Sequence, residues 1–289
     1  MWDDATADQW LEMMIDGRAA IHVMRFDPDL LLATLERARP VLEARGTAAR
    51  RHTFDRQVTM QELIRHRFRV GDADIARLRR SIQLAEQSGD EKDVGYALYF
   101  LGWALWLRGD LTEAKQQLEK ALAMGERIGE THLLTMGLLV LSATALRRLD
   151  TEAVRALIPR ALAAARTDVM YVALTMAAQT WLAWQDGHPD EVLALAGRLA
   201  EFDPGTLNSG ARYRWMALFP LIAAQLQSGN AAAAVAAARE IVDPAQQLLP
   251  DELMAALDAA VAAWDGGEAA AAEERLASAL RLAHELHFF

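Results

Sequence analysis

The nearest approach to a metal motif in this 289-residue chain is His284-Glu285-Leu286-His287. Zinc held on one helix face takes histidines at i and i+4 with a glutamate between them. Here the second histidine stands at i+3 and Phe288 occupies i+4. No third ligand lies nearby in sequence, so a polar helix end is the expected reading. His22, His52, His66, His132 and His188 are scattered, and none adjoins a nucleophile in sequence. Serines are few and no Gly-x-Ser-x-Gly elbow occurs. The acidic pairs Asp3-Asp4, Asp251-Glu252 and Glu273-Glu274 fall at helix starts or on solvated faces, where they complement the helix dipole. The chain has no cysteine, which excludes a disulfide framework, an iron–sulfur cluster and a thiolate zinc site. The expectation is no catalysis, no cofactor and no metal.

Charge is uneven. The whole chain carries −10, yet residues 45–80 hold ten arginines against Asp55, Glu62, Asp72 and Asp74, a local +6. Arg65, Arg67, Arg69, Arg77, Arg79 and Arg80 could form a phosphate-binding patch. The plainer reading is that they pair with acidic neighbours on adjacent helices. An acidic whole argues against an extended nucleic-acid footprint, so a protein or peptide partner is expected and nucleic acid is not.

Apolar residues make up 53% of the chain and recur at helical spacing, while strand and hairpin signals are nearly absent. The first residues, Met1-Trp2-Asp3-Asp4, lack a signal peptide's basic-then-apolar layout. The longest stretch without a charge, Trp215 to Ala238, is broken by Pro220, Gln225, Gln227, Ser228, Gly229 and Asn230. A membrane span needs about 20 mostly apolar residues in a row, so a soluble, cytoplasmic, all-α protein is expected.

The turn signals are regular. One series runs Asp27-Pro28, Gly71-Asp72, Gly109-Asp110, Leu149-Asp150, Gly187-His188, Gly229-Asn230 and Gly267-Glu268. Glycine ends one helix in a left-handed cap and a polar residue starts the next. Small residues mark corresponding points of each second helix: Ala33, Ala76, Ala114, Ala153, Val192, Ala234 and Ala272. The period is close to 40 residues, the signature of stacked helical hairpins. Seven units follow, approximately 1–45, 46–89, 90–129, 130–167, 168–204, 205–246 and 247–289, with about fourteen helices in one domain. Leu149-Asp150 lacks the turn glycine, so its turn is expected to be one residue tighter.

The third unit, Tyr96 to Leu122, resembles a tetratricopeptide (TPR) repeat. Leu101-Gly102 matches the Leu-Gly pair of the first helix, Gly109 the inter-helix turn, and Ala114, Leu118 and Ala121 the small–large–small stripe of the second helix. The resemblance implies a right-handed α-solenoid. The repeat exceeds the TPR length of about 34 residues, and longer hairpins of this kind are similar to the helical-repeat segments of bacterial AAA- or STAND-type signal-transduction ATPases. That likeness implies a non-enzymatic regulatory arm of a larger signalling ATPase or transcriptional regulator. It carries over no catalytic residue, because no Gly-x-x-x-x-Gly-Lys-Ser/Thr loop is present.

In the TPR register the inner face of each first helix is set by a few spaced positions. In the third unit these are Tyr96, Tyr99, Trp103 and Trp106, one stripe at i, i+3, i+7 and i+10. Trp181 and Trp184 follow in the fifth unit, Met216 and Phe219 in the sixth, Trp264 in the seventh, and Phe68 in the second. Two readings stand side by side. The aromatics line a concave groove for a peptide or small molecule, or they are core. Asp8 to Arg25 reads as an amphipathic first helix. The chain's last residues, His287-Phe288-Phe289, read as an uncapped apolar end, expected either in an excised or truncated array or where a partner copy covers it in a homo-oligomer.

Overall fold

The computed structural model describes residues 28–166, 168–202 and 213–289. These fold into thirteen α-helices and no strand. They are α1 (Pro28–Arg45), α2 (Ala48–Arg65), α3 (Asp72–Ser88), α4 (Glu91–Arg108), α5 (Leu111–Ile128), α6 (Thr131–Arg147), α7 (Thr151–Ala165), α8 (Val169–Gln185), α9 (Pro189–Ala200), α10 (Trp215–Gln227), α11 (Ala231–Val242), α12 (Asp251–Asp265) and α13 (Ala269–Glu285). The helix expected over 8–25 lies outside the described residues.

Each helix packs on the next, and α2, α4, α6, α8 and α10 also pack on one another in that order. The even-numbered helices therefore form an inner layer and the odd-numbered ones an outer layer. Their sequences differ as that placement requires. Every residue from Ala97 to Leu107 in α4 is buried, whereas α5 buries only Ala114, Leu118, Ala121, Leu122 and Gly125 on one stripe. Close approach of α4 and α5 depends on Gly102: a Cβ there would stand 2.7 Å from Leu118 Cγ and 3.2 Å from the Leu118 backbone nitrogen.

The hairpin turns share one bond. Asp110 N–H donates to Leu105 O, His188 to Ala183 O, Asn230 to Gln225 O and Glu268 to Ala263 O. Gly109, Gly187, Gly229 and Gly267 take positive φ just before these donors, as this cap demands. The turn at Leu149 is not tighter. Asp150 N–H donates to Ala145 O in the same way, and Leu149 itself adopts φ 56°. The pattern is kept at the cost of a left-handed side-chain residue.

The packing register also differs from the alanine series. Ala33 and Ala76 are exposed and Ala153 is half-buried. The stripe buried in all seven second helices runs through Ala38, Ser81, Ala121, Ala161, Leu199, Ile241 and Ala279. In helices this rich in alanine, a small residue can occupy either face.

The array closes on itself. After α2 the chain turns through Arg67 (φ 51°) and Phe68 (φ 64°). Arg67 donates from Nε to Gln246 O (3.0 Å) and from Nη2 to Asp243 O (3.0 Å), while Leu248 N–H donates to Arg67 O (2.9 Å). The turn of the second unit thus holds the connection between α11 and α12. The last pair breaks the stacking rule: α13 packs on both α10 and α11. Phe288 and Phe289 then turn inward and are 3% and 9% exposed. Phe288 stands edge-on to Trp215 (centroids 5.0 Å), with the Arg147 guanidinium 4.2 Å above it; Phe289 meets Trp184 and Phe219. The apolar end expected to need a partner copy is covered by its own chain.

Candidate functional site

Closure wraps the inner faces of five even-numbered helices around a chamber of about 200 Å³. Met60, Gln61 and Ile64 come from α2, and Tyr99, Phe100, Trp103 and Trp106 from α4. Met136, Leu139, Val140 and Ala143 come from α6, Met170, Tyr171 and Leu174 from α8, and Met216 from α10. Phe68 and Tyr213, both in turns, complete the wall. No charged side chain lines it among the described residues. Thioethers and rings dominate, a lining that suits a compact apolar body.

The predicted aromatic residues divide into three groups. Tyr99, Trp103 and Trp106 line the chamber. Trp103 Nε1 donates to Tyr213 Oη (3.2 Å), and Trp106 stacks near Trp215 (centroids 6.3 Å, 20° between planes). Trp181 and Phe219 are fully buried in the core, and Trp184 is half-buried against Phe289. Tyr96 lies at the edge: its hydroxyl donates to Glu130 (3.3 Å) and the Arg56 guanidinium sits 5.5 Å over its ring. Trp264 is half-buried beside the core, on α12, while α13 is the helix of that pair that packs on α10. The set is therefore not one open groove. Phe68 reaches the chamber from the turn beyond α2 rather than from a first helix.

Sequence reasoning missed the other half of the lining. Gln61, Tyr171 and Tyr213 belong to three different units, and only the curl of the array brings them together. Burial pushes the Tyr99 phenol well up, with Tyr171 and Tyr213 adding to the shift, and pushes Tyr171 up to about 12. Both stay protonated across the physiological range.

At the other end of α6, Arg147 is 6% exposed and has no carboxylate partner in an ion pair among the described residues. Its Nη1 donates to Trp106 O (2.6 Å) and its Nε to His287 O (3.3 Å). Burial lowers its pKa to about 10, so it remains a cation that ties α4, α6 and the chain's last turn together.

Five arginines of the basic stretch pair with carboxylates. Arg65 pairs with Asp29, Arg69 with Asp251, Arg77 with Asp74, Arg79 with Glu113 and Arg80 with Asp55. Arg67 serves backbone carbonyls. The arginines singled out as a phosphate patch are thus engaged with their own chain. The His284-x-x-His287 motif is a helix-ending turn: His287 has φ 62°, Phe288 N–H donates to Ala283 O (2.8 Å), and His284 Nδ1 lies 2.9 Å from Phe289 O. Among the described residues no group of three His, Asp or Glu could hold a metal ion, and no helix is long and apolar enough to cross a membrane.

One constellation was illegible in sequence. His52 Nδ1 and Ser81 Oγ, 29 positions apart, share a hydrogen bond of 2.7 Å, and His52 Nε2 is 4.0 Å from Asp93. The order resembles a nucleophile, base and carboxylate. His52 and Ser81 are both wholly buried at the seam of α2 and α3 and neither lines the chamber, so no substrate reaches the hydroxyl in this conformation. Burial, and then the Arg56 cation, lower the His52 pKa; the pair pins two helices.

No protein-family model matches this chain, and no curated protein matches it. The chamber's own geometry therefore carries the functional reading.

Proposed function

We propose that the chain is a non-enzymatic, ligand-sensing helical-repeat domain that takes a compact apolar molecule into its interior chamber. The observation that carries this is the chamber itself: about 200 Å³, free of charged side chains, walled by rings and thioethers. For comparison, an engineered apolar cavity of about 150 Å³ binds benzene. A molecule held there touches α2, α4, α6, α8 and α10 at once, so its presence changes how successive units lean on one another. Because those helices belong to successive units that pack on one another, occupancy bears directly on how the array curves.

The finer assignment rests on the TPR resemblance. We place the domain as a right-handed, cytoplasmic superhelix of seven TPR-like units, the sensing arm of a larger bacterial signalling ATPase or transcriptional regulator, handing its state to a protein partner. The 40-residue period and the Gly102–Leu118 approach support that likeness.

The test is a thermal-shift and tryptophan-fluorescence titration with toluene and indole. Binding to the native state raises the melting point by RT ln(1 + [L]/Kd), and three chamber residues at once, Trp103, Trp106 and Tyr99, report through fluorescence. Ala143→Leu adds three carbons at a chamber-lining position and is expected to abolish the response while keeping the helix content. No response of the wild type to either probe, or an undiminished response of Ala143→Leu, refutes the reading.

A further inference from the structure

The chamber is apolar but not uniformly so, and its polar groups are unusually idle. Gln61 is 4% exposed, Tyr99 and Tyr171 are 8% each, and Trp106 is 2%. Among the described residues the Gln61 amide and the two phenol hydroxyls have no protein hydrogen-bond partner, and their polar atoms keep some accessible surface, while the Trp106 Nε1–H is fully buried without a partner. Buried polar groups are paired in the great majority of cases; one buried indole N–H and three polar groups without a protein partner, all around one space of about 200 Å³, leave places for a ligand's polar atom. Of the two other polar groups of the lining, Trp103 donates its indole N–H to Tyr213 Oη. The idle groups come from α2, α4 and α8, so no single helix's packing accounts for them.

Their chemistry restricts the occupant. Gln61 offers one carbonyl and two N–H groups, each phenol donates or accepts, and the indole only donates. The set is rich in donors and suits an oxygen substituent. An anion would also satisfy donors, but among the described residues no cation lines the chamber, and an unpaired charge buried there would lose far more hydration than these bonds return. The remaining wall of rings and methionines favours a flat aromatic body, and the volume limits it to one or two fused rings.

Resting on the chamber as a ligand site, we propose that its ligand is a neutral one- or two-ring aromatic molecule bearing a hydroxyl or carbonyl oxygen on one edge, and that Gln61, Tyr99 and Tyr171 read that edge. The polar pole explains why a space otherwise built for hydrocarbon keeps an amide and two phenols at all. A sealed, ligand-free core would be more stable with leucine and phenylalanine in their places.

Phenol, toluene and benzoate, titrated calorimetrically into the full chain, test this. Toluene leaves water more readily than phenol, so preference for phenol requires hydrogen bonds inside. One well-made bond is worth about tenfold in affinity. We expect phenol to bind at least about tenfold more tightly than toluene and benzoate to give no binding heat. Gln61→Leu should bring the phenol-to-toluene ratio to about one while raising the melting temperature of the free protein. Tyr171→Phe, which removes a single oxygen, should narrow the same ratio if the leucine variant fails to fold. Equal binding of phenol and toluene by the wild type, or a ratio unmoved in these variants, overturns the polar pole and leaves the chamber as a plain apolar site. Benzoate binding more tightly than phenol overturns the neutral assignment. Binding of neither phenol nor toluene overturns this proposal together with the sensing function. So does phenol binding that appears only after residues 1–27 are removed, which would make the chain's own segment the occupant.

Discussion

Replacing Phe288 with alanine tests whether the array is closed by its own last residues. Phe288 is 3% exposed, edge-on to Trp215 at 5.0 Å and covered by the Arg147 guanidinium at 4.2 Å. Truncating a buried phenylalanine costs about 3–5 kcal/mol in transfer and cavity terms, and that range already contains most of the ring–ring contribution of about 1 kcal/mol. Loss of the cation–π contact adds about 1 kcal/mol more, because Arg147 is desolvated. A total near 5 kcal/mol corresponds to a melting point lowered by roughly 10–15 °C in a chain of this size. If the last pair unfolds apart from the rest, the same loss instead appears as an early shoulder, since repeat arrays need not melt as one unit. Differential scanning calorimetry reads both forms, and sedimentation velocity at two concentrations reads the oligomeric state. A shift below about 2 °C, with no shoulder, refutes the intramolecular seat. So does a wild-type melting point that climbs with protein concentration while the variant's does not, because the phenylalanines would then be covered by a second copy.

Three further outcomes follow from the helix seams, the turns and the phenols. Gly102→Ala places a Cβ 2.7 Å from Leu118 Cγ and close to its backbone, so urea denaturation should show a loss of about 1–3 kcal/mol; unchanged stability would remove the α4–α5 contact as described. Equivalent turns should respond with opposite signs: Gly109→Ala, at φ 100°, destabilises by about 1 kcal/mol, while Leu149→Gly, at φ 56°, stabilises by up to about 1 kcal/mol. Because burial raises the folded-state pKa values of Tyr99 and Tyr171, their contribution to stability is intact below the unfolded phenol value near 10 and falls as pH rises from there, through about 12 for Tyr171. Absorbance at tyrosinate wavelengths should therefore lag in the native protein and return to a midpoint near 10 in urea, and a native titration with all phenols near 10 would contradict their burial.

Much of the fold could be read in advance, and the limits have identifiable causes. The all-helical character followed from 3.6-residue periodicity, and the hairpin pattern from Gly and Asp signals close to 40 residues apart. The alanine register slipped at Ala33, Ala76 and Ala153 because alanine is compatible with both the seam and the solvent face, so composition alone leaves the phase of a helix undetermined. Leu149 shows a similar limit. A residue type suggested a different turn, and the hydrogen bonds of the neighbouring units imposed the common one.

The site divides along the same line. The stripe of Tyr99, Trp103 and Trp106 was visible because α4 is a single helix whose i, i+3 and i+7 positions share a face. The sequence could not say whether that face met solvent, core or a chamber, because the answer depends on residues far away. Arg67 holds Asp243 and Gln246 through hydrogen bonds 176 and 179 positions apart, and Phe288 and Phe289 fill the space beside Trp215, Trp184 and Phe219. Helical periodicity is a local property, set within a turn or two by backbone geometry and side-chain polarity. It determined by itself that this chain is an array of helix pairs with an aromatic inner face. The curl of that array sums small rotations over many units and is fixed only where distant segments meet. That long-range closure, decided by tertiary contacts alone, made a stripe that could have been groove or core into one wall of a partly open chamber and brought Gln61 and Tyr171 to it.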